Sequence, residues 1–273
     1  MKILGLNAYH ADASAALFVD GELAYAIEEE RLNRKKHCAG FPALAARRCL
    51  ELAGVRPQEL DHVAVSRDPR VHLGHKALHV VERALHGGGR ALLRQVRERL
   101  HNHQRVQRLS EVLAAALGAA PGQLRARYHQ VEHHRAHLAS AFFASDFADA
   151  AVLSLDGFGD FVSTMWGRGY DRRIDVLGEV RFPHSLGIVY TAVTQWLGFP
   201  KYGDEGKVMG LSAYGEPRLL PALRRLIHLD DDGGFRLDEQ VEVPLVRKTR
   251  DRAEAAQVRG LDRHARRGNR DTL

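Results

Sequence analysis

Two short apolar runs separated by Asp20-Gly21 fix the first thing this chain must build. Ala15-Ala16-Leu17-Phe18-Val19 and Leu23-Ala24-Tyr25-Ala26-Ile27 flank a pair of residues suited to a tight turn, a strong hairpin signal. Ile3-Leu4-Gly5-Leu6 reads as a strand before it, and a helix follows from Pro42 to about Ala53. Proline sits in that helix's first turn, Gly54 closes it, and Phe41, Ala45, Cys49 and Leu52 line one side. His62–Ser66 reads as a further strand. A second hairpin is expected later: a helix over 134–145, a strand over 150–155, its partner over 161–168, then a helix from about Leu186 to Leu197. In that last helix Val189, Val193 and Trp196 recur at core-facing intervals; Phe41, Trp166, Trp196 and Phe199 are expected in cores. The pattern implies an α/β chain with two similarly opened lobes, their turns carrying Asp12-Ala13-Ser14 and Asp156-Gly157-Phe158. The first lobe spans residues 1–127, with a polar, His- and Arg-rich helical insertion over about 67–127; the second spans 128–237.

A chain of 273 residues can bury one large core or two lobes of ordinary size, and 45% hydrophobic with 27% charged residues suits a soluble globular protein. No apolar run approaches the roughly 20 residues of a membrane span, and the N-terminus turns polar too early for a signal peptide. Cys38 and Cys49 alone give no disulfide framework, so a cytoplasmic location with no membrane partner is expected. The net charge of +6 is uneven: residues 67–108 hold ten Arg/Lys against three Asp/Glu, and 247–273 hold nine against four. The remainder is therefore acidic. In the first basic stretch Arg90, Arg94, Arg97 and Arg105 fall near helical spacing with few aromatics among them, which suits a solvated helix face better than a nucleic-acid surface. Residues 238–273 form a divergent basic tail expected to be disordered or poorly packed.

The chemistry concentrates elsewhere. On a helix His133 and His137 lie four apart on one face, with ring nitrogens able to converge on one ion. Asp156 follows Ala151-Val152-Leu153 and is expected where a buried strand ends, the place where open α/β sheets hold ligands. Two imidazoles and a carboxylate suit a divalent transition metal such as Fe, Mn or Zn. His134 points about 100° away. Gly157 and Gly159 permit a tight turn whose N–H groups approach a phosphate, and Asp12 with Ser14 suggest a similar contact in the first lobe; ordinary hairpin chemistry is the bland alternative for both. Gly203, Asp204, Gly206 and Lys207 combine flexible backbone with a cation that can neutralise a phosphate, against the alternative of a capped turn. Arg34-Lys35-Lys36-His37 can hold an anion or an acceptor, though such charge runs are usually solvated.

Taken together, several ordered stretches resemble the carbamoyltransferase family that includes the nodulation and antibiotic O-carbamoyltransferases. They are Gly5–His10 through Leu17, Glu28–His37, Phe41-Pro42, His133–His137, Asp156–Asp160 and Tyr202–Leu211. The resemblance implies a two-lobed, actin-like (ASKHA-type) ATPase fold, incomplete at the C-terminus, because the likeness fades from about Leu237. It implies His133, His137 and Asp156 as metal ligands. It further implies transfer of a carbamoyl group from carbamoyl-adenylate, made from carbamoyl phosphate and ATP by a separate adenylate-forming domain, to a small-molecule hydroxyl acceptor. His10 or His37 is the expected catalytic base, since imidazole titrates near neutrality. The rival reading is a nucleotide- and metal-binding lobe that cannot complete turnover by itself. A sugar kinase would leave the histidine pair without a role, and non-haem iron oxygenases build their two-His-one-carboxylate sites on β-barrels, which this pattern does not resemble.

Overall fold

A computed structural model describes residues 1–76, 109–120 and 122–238. The expected helical insertion lies largely within 77–108, and the tail beyond 238 likewise falls outside the described residues. The chain divides into two compact units, Met1–His137 and Leu138–Leu273.

In the first unit β1 (Lys2–Asn7), β2 (Ser14–Val19) and β3 (Glu22–Glu28) form an antiparallel meander. Asp20 and Gly21 make the β2–β3 turn with φ of 54° and 94°, the left-handed pair a two-residue hairpin needs. α1 (Glu29–Asn33) and α2 (Ala43–Ala53) follow, then β4 (His62–Val65), α3 (Leu109–Leu117) and β5 (Arg127–Gln130). The sheet order is β3-β2-β1-β4-β5, with β4 parallel to β1 and β5 parallel to β4. Strand alternation turns Leu4, Leu6, Ala15, Leu17, Val63 and Val65 into one core, where they meet Ala45, Cys49 and Leu50 of α2 and Leu113 of α3. Leu50 completes the buried face of α2, while Leu52 remains exposed. Burying each such leucine contributes about 1.5–3 kcal/mol. The buried Glu29 carboxylate accepts the N–H groups of Leu44 and Ala45 at 3.2 and 2.8 Å, so an acidic residue of α1 caps the start of α2.

α4 (His133–Phe142) begins in the first unit and ends in the second. The second unit is built on β6 (Asp149–Gly159), β7 (Val162–Tyr170) and β8 (Arg173–Arg181), antiparallel in the order β6-β7-β8. Leu138 and Phe142 of α4 pack with Val152, Val162 and Met165. Gly169 makes that approach possible, because a β-carbon there would stand 2.5 Å from the Phe142 ring. α5 (Leu186–Trp196) is capped by Ser185, whose hydroxyl accepts the Ile188 N–H. α6 (Glu205–Leu211), α7 (Leu220–Leu226) and the hairpin β9 (Ile227–Leu229)–β10 (Phe235–Leu237) complete the described chain.

Three details depart from expectation. β6 runs on through Gly159, so the glycines after Asp156 lie in an irregular strand and the turn falls at Asp160–Phe161, both with positive φ. β8 was not anticipated. β5, which straddles the expected lobe boundary, joins the first sheet.

Candidate functional site

Glu132 prepares the α4 histidines. Its buried carboxylate accepts the N–H groups of His134 and Arg135 at 3.0 and 2.7 Å, fixing where the helix starts. One turn apart, His133 and His137 bring their Nε2 atoms to 2.9 Å with rings 4.5 Å between centroids and nearly perpendicular. His133 is buried and His137 exposed, so the pair reaches from the interior to solvent. The His10 ring lies 4.9 Å from that of His133, which places the first loop beside the pair. His134 is fully buried, its ring 5.3 Å from that of His133 and 6.0 Å from that of His137.

Asp156 belongs to β6 in the second unit and is half-buried; its Oδ1 accepts the Gly157 N–H at 2.6 Å. The Ser185 hydroxyl donates to the Gly157 carbonyl at 2.7 Å, tying the start of α5 to this strand. The Gly157 N–H, expected to face a phosphate, is thus engaged by the neighbouring carboxylate. Gly159 pairs with Val162 across the turn.

The first unit brings together three residues from separate segments. Asp12, Glu30 and His37 each offer a ligand-type atom, all within 4.8 Å of one another. Asp12 Oδ1 lies 3.0 Å from His37 Nδ1, and Glu30 Oε2 accepts the His37 backbone N–H at 2.9 Å. The loops meet because Tyr9 N–H donates to Gly40 O at 2.7 Å and Ala13 N–H to Cys38 O at 2.9 Å. Tyr9, Asp12, Arg34 and His37 all hold left-handed backbone conformations, with φ of 65°, 59°, 61° and 52°. Such non-glycine conformations cost on the order of 1–3 kcal/mol each and cluster at functional sites. With Glu30 beside it, the Asp12 carboxylate is poorly placed to hold a phosphate; it holds an imidazole.

Ser14 opens β2 and lines a groove of about 550 Å³ over the sheet with Gly5, Asn7, Ala16, Glu28 and Arg31. Gly203, Asp204, Gly206 and Lys207 gather at the start of α6. There Lys207 Nζ pairs with buried Asp204 at 2.5 Å, and Asp204 also accepts the Lys201 N–H at 3.0 Å. The hydrogen bond from Lys207 is the main reason the Asp204 carboxyl is held below its usual range. Sequence reasoning overlooked Glu29, Glu30 and Glu132. A usable signal existed for Glu132, an acidic residue just before a helix start where free N–H groups await an acceptor.

The fold and these clusters define a class: a mixed α/β protein that gathers imidazole and carboxylate groups into clusters. Residues 2–258 match the family model described as Carbamoyltransferase N-terminus, and the chain belongs to that family of transferases. The match runs past Leu237, so the family pattern continues into residues expected to depart from it. An uncharacterized Synechocystis protein, sll1178, is 38% identical over 86% of this chain and 38% of its own length. Nodulation protein NolNO of Sinorhizobium fredii is 31% identical over 85% of this chain and 32% of its own. The chain therefore spans well under half the length of these relatives. YeaZ from Pseudomonas aeruginosa superposes at a TM-score of 0.35 with 16% identity, covering 67% of this chain and 69% of that one. Among the described residues no helix is long and apolar enough to cross a membrane.

Proposed function

We propose that this chain is the acceptor-side part of an O-carbamoyltransferase with an actin-like fold. It would transfer the carbamoyl group of carbamoyl-adenylate to a small-molecule hydroxyl. The observation that carries the reading is the His133–His137 pair in a chain of this family. The two Nε2 atoms stand 2.9 Å apart, close enough to serve one ion together. His133 and His137, with Asp156 as the carboxylate, would hold a divalent Fe, Mn or Zn ion. When bound, that ion would supply Lewis acidity and a fixed template.

The chain's own residues account for the proton. Asp12 Oδ1 accepts from His37 Nδ1–H at 3.0 Å, leaving Nε2 of the neutral ring to take the acceptor's hydroxyl proton. The acceptor oxygen bonds to the carbamoyl carbon, the bond from that carbon to the phosphate oxygen breaks, and AMP leaves with the electron pair. His37 is thus the preferred base, with Asp12 as its positioning residue, while His10 flanks the metal ligands. Lys207 with Gly203 and Gly206 serves the adenylate phosphate in this reading, and Lys207 must then share itself with Asp204.

Metal analysis and a transfer assay test the proposal together. Wild type should purify with, or take up, about one transition-metal ion per chain; His137→Ala should lose most of it and Asp156→Asn should bind more weakly. His37→Ala should keep its metal yet lose AMP release from supplied carbamoyl-adenylate, by roughly 10²–10⁴-fold. A wild-type chain that takes up no metal would sink the metal assignment. In this reading one further outcome is expected: with carbamoyl phosphate and ATP in place of the adenylate, this chain alone should be inactive, because activation would be the work of a separate adenylate-forming domain.

A further inference from the structure

The solvent face of the first sheet carries a second histidine pair. Alternation along β4 turns Val63 and Val65 into the core, at 0% and 1% exposure, and so sets His62 and Ala64 on the opposite face. On β5 Tyr128 packs against that core, which sets Arg127 and His129 outward. The parallel register puts Arg127 across from His62 and Ala64 across from His129. The small Ala64 leaves room beside His129, and the two imidazoles meet on the diagonal. His62 Nδ1 lies 2.9 Å from His129 Nε2, with ring centroids 5.0 Å apart. His62 is half-buried and His129 exposed, so the pair opens to solvent.

Two features separate this pair from histidines that meet by chance on a surface. Its side chains stand on neighbouring strands whose backbone ladder already fixes their separation, so a ligand has little ordering left to impose. Among the described residues, each ring's hydrogen-bond partner is the other ring. In the neutral pair one facing nitrogen donates and the other accepts. Both of those nitrogens carry a lone pair once the donor ring moves its proton to its far nitrogen.

We propose that His62 Nδ1 and His129 Nε2 together bind one divalent transition-metal ion of the kind imidazole favours, such as Zn²⁺, Ni²⁺ or Cu²⁺, with water filling the remaining positions. Moving the proton within the donor ring frees both facing lone pairs for the ion, with no net proton released. Among the described residues no third His, Cys, Asp or Glu joins the two. The charge of Arg127, across from His62, opposes a cation. The ion is therefore held more loosely than by a three-ligand site. Its place in the fold gives it a role. β5 is the four-residue edge of the sheet and leads through Val131, whose N–H donates to Val65 O at 2.9 Å, and Glu132 into α4. An ion held by one side chain from each strand pins that edge to β4 directly before the helix that carries His133 and His137. The proposal concerns a separate site and stands whether or not those two histidines bind metal.

Calorimetric titration of the full chain with Zn²⁺ tests it. Beyond any ion held by His133 and His137, one further ion should bind, and it should bind equally in His137→Ala. His62→Ala and His129→Ala should each abolish it, while the melting temperature of the metal-free chain stays nearly unchanged, as for most solvent-face substitutions. His75→Ala, whose ring lies 6.4 Å from that of His72, should keep it. Side-chain nitrogen resonances should report the same ion: His62 Nδ1 and His129 Nε2 should shift together as zinc is added. The Val131 amide should then exchange more slowly. The proposal is overturned if no zinc binds beyond the ion of His133 and His137, or if the further ion survives either His62→Ala or His129→Ala. It is overturned equally if His75→Ala abolishes that ion, or if zinc moves just one of the two resonances.

Discussion

The two units spend similar strand patterns very differently. In the first, a five-stranded sheet lies against α2 and α3, and its inward residues Leu4, Leu17, Val63 and Val65 are all but inaccessible. In the second, three strands share a five-residue core with α4, and leucines of β6 and β8 stand in solvent. Stability in the first unit comes from burial on a closed set of neighbours. The second, among the described residues, holds the C-terminal half of α4 on a much smaller core and leaves one face of its sheet exposed.

The widest separation should appear between leucines of the two sheets. Leu17→Ala, at 0% exposure, should cost about 2–5 kcal/mol in denaturant unfolding. Leu153→Ala should stay within about 0.5 kcal/mol; a cost near that of Leu17→Ala would show the second sheet to be covered and erase the contrast. Next in size is Gly169→Ala, whose β-carbon would meet the Phe142 ring at 2.5 Å. About 1–3 kcal/mol should be lost through overpacking, and the near-ultraviolet signal of the second unit should melt earlier while the first unit's transition holds. Smaller still, Glu29→Gln should cost about 0.5–2 kcal/mol by weakening the cap on α2, read as loss of protection at Leu44 and Ala45.

The smallest effect is a pH dependence confined to the first unit. The Arg56 backbone N–H, then Lys2 and the Arg56 side chain, hold the Glu59 carboxyl down at about 2. Its unfolded value is about 4.3. A folded pKa below the unfolded one contributes stability that is present above about pH 4.3 and lost as pH falls through the folded value. Glu59→Gln should therefore be slightly less stable than wild type near neutrality and converge with it near pH 2, followed by circular dichroism at a series of pH values.

Much of the skeleton was legible from local rules. Asp20-Gly21 announced its hairpin, Pro42 and Gly54 bracketed α2, and the four-residue spacing of His133 and His137 gave their shared face. Misreadings occurred where a neighbour distant in sequence decided the local structure. β8 was hidden by Gly178, which looks like a break but sits where a β-carbon would fall 2.1 Å from the Trp166 ring. Gly157 and Gly159 suggested a turn, yet the turn uses Phe161 at a φ of 82°, a conformation no propensity assigns to phenylalanine. Asp12 and His37 are 25 residues apart, and bonds between their loops, which no spacing rule describes, bring them into contact. Spacing rules reach one helix face or one hairpin; the pairing of two loops is a property of the folded chain.

The stitching of those loops also bears on timing. Tyr9 is bonded to Gly40 and Ala13 to Cys38, with His37 next to the Cys38 anchor. In the proposed reading, an acceptor arriving at His37 would meet an imidazole already held by Asp12, on a backbone bonded to Glu30. Any adjustment of fit must come from the acceptor or from residues outside this pair of loops. In the carbamoyl-transfer reading, discrimination between acceptors would then act by rejection at a rigid base, with little reorganisation at the moment of reaction.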